Sequence, residues 1–160
     1  MKKEQQYSFL EVKQKIERWC AYRDRCHQEV SQKLRDYGLD GEDTNALLAH
    51  LISYQFLDEE RYAESFVSGR YKIKKWGRNK IKMHLKRKNI PSRCIDKALA
   101  TIEEDQYTLH LEDLARRKWN QKKGNAFEKK VKVQRFLVQR GYEHDLIHNV
   151  LDELEKANEL

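Results

Sequence analysis

Proline and glycine are nearly absent from these 160 residues, with one Pro and six Gly in all. A sandwich or barrel needs a turn signal every ten residues or so, and so few breakers exclude one. Long hydrophobic runs are also missing. None approaches the ~18 apolar residues of a membrane span, and the opening MKKEQQYSFLEVKQ lacks the apolar stretch of a signal peptide. Cysteines number three, Cys20, Cys26 and Cys94, odd in count and without a disulfide framework, as for reduced thiols in a cytoplasm. A cytoplasmic protein is the expectation. Catalytic signatures are lacking too: there is no glycine-rich phosphate loop, no G-x-S-x-G and no Cys-x-x-Cys. Cys20, Cys26 and His27 do not have zinc-ligand spacing, and His144 and His148 lack the glutamate of H-E-x-x-H. No enzyme, cofactor or metal is expected.

What the chain has in abundance is charge. Lys and Arg total 33 against 26 Asp and Glu, for a net +7, and the charge is segregated. Residues 70–88 hold ten cations (Arg70, Lys72, Lys74, Lys75, Arg78, Lys80, Lys82, Lys86, Arg87, Lys88) and no acid. Residues 116–140 hold ten more, among them Arg116, Arg117, Lys118 and Lys122, against the single acid Glu128. The two stretches carry net +19, which leaves the rest of the chain at −12. One basic run reads as a solvated helix face; two at matching places suit a polyanion, a patchy protein partner, or both.

The matching places come from a repeat. Val30-x3-Leu34-x3-Gly38-Leu39, Ile81-x3-Leu85-x3-Asn89-Ile90 and Val133-x3-Leu137-x3-Gly141-Tyr142 align at offsets of 51 and 52 residues. Each is followed by a second apolar stripe: Leu47, Leu48, Leu51; Ala98, Leu99, Ile102; Val150, Leu151, Leu154. Apolar residues at i and i+4 mark amphipathic helices. Gly38, Asn89 and Gly141 stand where a helix ends in a left-handed residue, which glycine adopts freely and asparagine next best. A longer amphipathic segment precedes each pair: Phe9 to Cys20 behind the capping box Ser8-x-x-Glu11, Tyr62 to Val67 behind Asp58, and Leu111 to Trp119. The chain thus predicts an all-α fold of three tandem three-helix repeats, 1–56, 57–103 and 104–160, forming an elongated, curved molecule.

Ile81 and Leu85 point inward on the helix from about Gly77 to Lys88, so Arg78, Lys82 and Lys86 line an outward flank. Point charges of this kind bind phosphates without reading sequence. Trp19 and Trp119 read as core; Trp76, inside the basic run, reads equally as core or as a stacking surface for bases.

The stretch Leu57-Asp58-Glu59-Glu60-Arg61-Tyr62-Ala63-Glu64-Ser65-Phe66-Val67, then Arg70, Gly77-Arg78-Asn79-Lys80-Ile81, Leu85 and Lys88-Asn89-Ile90, resembles the signature of the RecX family. Arg23-x-x-Cys26-x-x-Glu29-Val30 fits the family's first repeat, with cysteine where serine is commoner, and Asn89 replaces the family glycine. The resemblance implies three tandem three-helix repeats and a non-enzymatic regulator of the RecA recombinase. Such a protein lies in the helical groove of the RecA–DNA filament and limits ATP hydrolysis, strand exchange and coprotease function, and some members bind DNA. The expected electrostatic contacts to filament or DNA are Arg70, Lys74, Lys75, Arg78, Lys82, Lys86, Arg116, Arg117, Lys118 and Lys122, and the expected state is a monomer. Asp58 and Arg61 read as a cap and an ion pair at a repeat junction. The alternative is a stand-alone nucleic-acid binder without sequence specificity.

Overall fold

The computed structural model describes residues 7–158; the outer ends of the first and third units, residues 1–6 and 159–160, lie outside the described residues. Among the described residues there are nine helices and no strand. They are α1 (Phe9–Tyr22), α2 (His27–Asp36), α3 (Gly41–Ser53), α4 (Glu59–Lys72), α5 (Arg78–Arg87), α6 (Ser92–Leu99), α7 (Glu104–Gln121), α8 (Ala126–Gln139) and α9 (His144–Asn158). The helix pairs that pack closely all lie within a unit: α1 to α3, α4 to α6, and α7 to α9.

One device recurs three times. Gly38 (φ 89°), Asn89 (φ 58°) and Gly141 (φ 95°) end α2, α5 and α8 in the left-handed conformation. The next residue then donates its N–H back to a leucine carbonyl: Leu39 to Leu34 at 3.0 Å, Ile90 to Leu85 and Tyr142 to Leu137, both at 3.2 Å. Leu39, Ile90 and Tyr142 are buried, completing a Schellman-type stop with its apolar contact. Two further non-glycine residues are left-handed among the described residues, Gln55 (φ 62°) and Lys75 (φ 58°), following α3 and α4. Neither side chain favours that conformation, so no turn signal announces them. Ser8, Asp58 and Asn125 cap α1, α4 and α8, accepting from the N–H groups of Glu11, Arg61 and Glu128.

The buried side chains form two clusters. The first unit has its own, around Val12, Ile16, Val30, Leu34, Leu47 and Leu51. The second and third units share one, running from Tyr62 and Val67 through Ile81, Leu85 and Tyr107 to Leu137 and Leu151. The first junction is interlocked: Leu57, at the head of the second unit, packs in the first unit's core, and Cys26 packs in the shared core. All three cysteines are free and buried, and burial pushes the thiols of Cys20 and Cys26 up to about 11, which makes them inert.

Candidate functional site

The first junction is held by Asp24. Its carboxylate accepts from Arg61 Nε and from Ser65 Oγ, both at 2.6 Å. Burial pushes the Asp24 pKa up, but those two hydrogen bonds and the Arg61 charge outweigh it and leave the carboxyl below its ordinary value. Arg61 also donates to the carbonyls of Gln55 and Phe56, and the His27 N–H donates to Glu59 at 3.3 Å.

The second junction is tighter and puts backbone against backbone. Gly77 N–H donates to the Arg140 carbonyl at 2.8 Å, and Asn79 N–H to the Gly141 carbonyl at 2.9 Å. Tyr142 Oη donates to the Lys75 carbonyl at 2.8 Å, and the Arg140 guanidinium donates to the carbonyls of Lys74 and Lys75. Arg78 departs from the outward flank expected for it. It stands at the first turn of α5, where the neighbouring unit is closest, and its guanidinium turns into that unit. There it pairs with Glu143 at 2.7 Å and with Glu104, and lies 4.0 Å from the Tyr107 ring centre. Tyr107 Oη donates to Glu143 and accepts from the Arg78 N–H at 3.0 Å. Burial opposes the Arg78 charge, but Glu104 and Glu143 outweigh it and raise the guanidinium pKa above its ordinary value.

With Arg78 engaged, the remaining cations of residues 70–88 have no carboxylate partner among the described residues, whereas Arg61 and Lys97 of the same unit pair with Asp24 and Glu60. Lys74, Lys82 and Lys86 are exposed, and Arg70 is half-buried. Lys75 is half-buried and donates to His110 Nε2 at 3.0 Å. The third unit is partly neutralised: Arg117 pairs with Asp113 at 3.1 Å, and Lys130 pairs with Asp152 at 2.8 Å and Glu155 at 3.0 Å. Arg116 is exposed and Lys122 half-buried; the Lys118 ammonium lies over the Phe136 ring at 4.5 Å. The densest unneutralised charge therefore lies on the second unit. Lys80, whose ammonium lies over Trp76 at 4.3 Å, and Arg140 also belong to this surface, though nothing in the charge pattern singles them out.

The arrangement suits binding. Among the described residues no three His, Cys, Asp or Glu side chains gather as metal ligands would, and no helix is long and apolar enough to cross a membrane. His144 and His148 are exposed, with His148 facing Asp152 at 3.3 Å.

Residues 58–99 match the family model "RecX, second three-helix domain", and residues 104–151 match "RecX, third three-helix domain". The Regulatory protein RecX of Herminiimonas arsenicoxydans is 31% identical over 141 residues, 86% of this chain and 89% of that protein. That of Clostridium tetani is 31% identical over 133 residues, but this chain spans only 61% of its length. In fold, the crystal structure of RecX from Lactobacillus salivarius superposes with a TM-score of 0.83 at 22% identity, covering 92% of this chain and 96% of that one. With its second and third units both recognised and one curated relative matched along most of both lengths, the chain belongs to the RecX family of regulatory proteins.

Proposed function

We propose that this protein regulates a RecA-type recombinase by binding across several subunits of the RecA–DNA filament, in its helical groove, and restraining ATP hydrolysis, strand exchange and coprotease activity. The observation that carries the reading is the second unit's block of cations without carboxylate partners, set in the middle of three units joined end to end. Like charges on successive helical turns repel, and a polyanionic partner relieves that repulsion. Several shallow contacts spread over three units add by multivalency, which suits a repeating filament better than a single ligand. Lys74, Lys82, Lys86 and Arg116 serve as exposed electrostatic contacts, with the half-buried Arg70, Lys75, Lys118 and Lys122 as further ones. The protein acts as a monomer and binds bare DNA weakly, without sequence specificity.

The test is the ATP hydrolysis rate of the cognate recombinase on preformed filaments, titrated with this protein. Inhibition well below one molecule per recombinase subunit supports the reading. Inhibition only when the DNA itself is saturated makes it a general nucleic-acid binder.

A further inference from the structure

The basic surface of the second unit also contains aromatic rings. Phe66 on α4, Trp76 in the α4–α5 loop and His84 on α5 form one cluster. Ring centres lie 4.7 Å apart for Trp76 and His84, 6.4 Å for Phe66 and Trp76, and 6.5 Å for Phe66 and His84. The Arg70 guanidinium stands 4.6 Å from the Phe66 ring and 5.2 Å from Trp76, and the Lys80 ammonium 4.3 Å from Trp76. The backbone assembles them. Past left-handed Lys75, the Trp76 N–H donates to the Arg70 carbonyl at 3.0 Å, which folds the indole back over the end of α4. All five side chains are half-buried.

Packing explains Phe66 and Trp76, which lean on the shared core. It does not explain the cations. Neither Arg70 nor Lys80 nor neighbouring Arg87 has a carboxylate partner among the described residues, and Arg70 Nε is shut off from solvent without an acceptor. A buried donor left in that state is costly to the fold, and a ligand that supplies an acceptor removes the cost. The gathered charge also acts on His84. Burial first, then Arg87, Lys80 and Arg70, hold its pKa below the ordinary value. Three rings, three cations and no anion fit a ligand that offers flat rings and negative charge in alternation. An acidic peptide supplies charge without rings, and a duplex keeps its bases stacked away.

We propose that Phe66, Trp76 and His84, with Arg70 and Lys80, form a stacking site for a single strand of nucleic acid. A base replaces the Lys80 ammonium on the indole, and Lys80 and Arg70 turn to the flanking phosphates. A base presents the indole with a flat π-face, and the displaced Lys80 ammonium is then free to meet a phosphate. Every base has a π-face, so the site discriminates little among sequences. This deepens the reading of the basic surface given above. It is tested without recombinase, so its failure and the failure of filament regulation are separately visible.

The experiment compares binding of a labelled 20-nucleotide oligothymidine with an abasic strand carrying the same number of phosphates, using the full-length protein. Trp76→Ala is expected to weaken the oligothymidine about tenfold, within the 5- to 150-fold that ~1–3 kcal/mol of stacking represents, and the abasic strand less than twofold. The pair Lys82→Glu and Lys86→Glu should weaken both strands alike. Equal binding of the two strands by the unaltered protein, or an equal loss on Trp76→Ala, overturns the proposal. Truncating Trp76 also removes packing, so a second measurement leaves the protein intact: photocrosslinking to a bromodeoxyuridine-substituted strand. Adducts on Trp76 or His84 are expected, and adducts confined to other segments overturn the proposal. Polyglutamate competing as well as oligothymidine also overturns it, in favour of an acidic protein partner.

Discussion

Gly77 and Gly141, from different units, meet with no side chain between them. A Cβ on Gly77 would overlap the Gly141 carbonyl group and the Tyr142 nitrogen, and a Cβ on Gly141 would overlap Lys80. Gly141 also holds φ 95°, so two demands converge on it. Gly141→Ala or Gly77→Ala must separate the units and break the Gly77–Arg140 and Asn79–Gly141 hydrogen bonds. We expect each to cost about 2–4 kcal/mol, mainly through lost hydrogen bonds and packing. Gly69 in α4, with open space where its Cβ would be, is the control. Gly69→Ala should be neutral or stabilising by up to ~1 kcal/mol, read as midpoints of thermal unfolding.

Arg78 and Lys82 are one helical turn apart and should behave oppositely. Arg78→Ala leaves Glu143 without its guanidinium partner and uncovers the Tyr107 ring, and the expected loss is about 2–3 kcal/mol of stability. Lys82→Ala, at an exposed position, should change stability by less than ~0.5 kcal/mol while weakening polyanion binding. Denaturant unfolding and a salt-dependent DNA titration on both variants separate the roles. A stable Arg78→Ala protein with impaired binding would show that its ion pairs with Glu104 and Glu143 are dispensable.

The first unit has its own core, and Asp24 ties it to Arg61 and Ser65 of the second. Asp24→Asn removes the charge that Arg61 faces, and Arg61→Ala leaves Asp24 without it. Each should speed amide hydrogen exchange in α1 to α3 by about tenfold while α5, α7 and α8 keep their protection, since sub-domains open as units. Uniform loss of protection across all nine helices would show a single cooperative molecule instead.

His84 and His110 set the expected pH dependence. Burial, reinforced by Arg87, Lys80 and Arg70 for His84 and by Lys75 for His110, lowers both pKa values. A histidine with a depressed folded-state pKa takes up its proton more readily when unfolded. Its contribution is therefore present above about 6.5, the ordinary value, and is lost as pH falls below it. The unaltered protein minus a His84→Gln/His110→Gln variant should show a difference in melting temperature that shrinks from pH 7.5 to 5.5. A constant difference would show that neither group titrates in that range.

Much of the fold was legible in the chain, because the signals that carry it are local. Helix periodicity, the left-handed stops at Gly38, Asn89 and Gly141, and the caps at Ser8 and Asp58 involve residues within about a turn or two of each other. The ion pair read into Arg61 was legible as a junction contact, but its partner Asp24 was not. Gln55 and Lys75 carry no such local signal, because their left-handed conformation comes from packing rather than from their own preference. The candidate surface was legible as charge and not as geometry. Lys82 and Lys86 lie on the exposed flank, whereas Arg78, one turn before them with the same spacing and charge, is taken up by Glu104 and Glu143.

Helix number, unit period and the segregation of charge were thus determined by the sequence alone, since each depends on residue type and spacing along the chain. Tertiary structure alone decided which cations remain without partners, that two glycines 64 residues apart touch, and that Phe66, Trp76 and His84 share one cluster with Arg70 and Lys80. Those outcomes depend on how the three-helix units are set against one another, and that setting comes from contacts between residues far apart in the chain, where no short-range pattern records them.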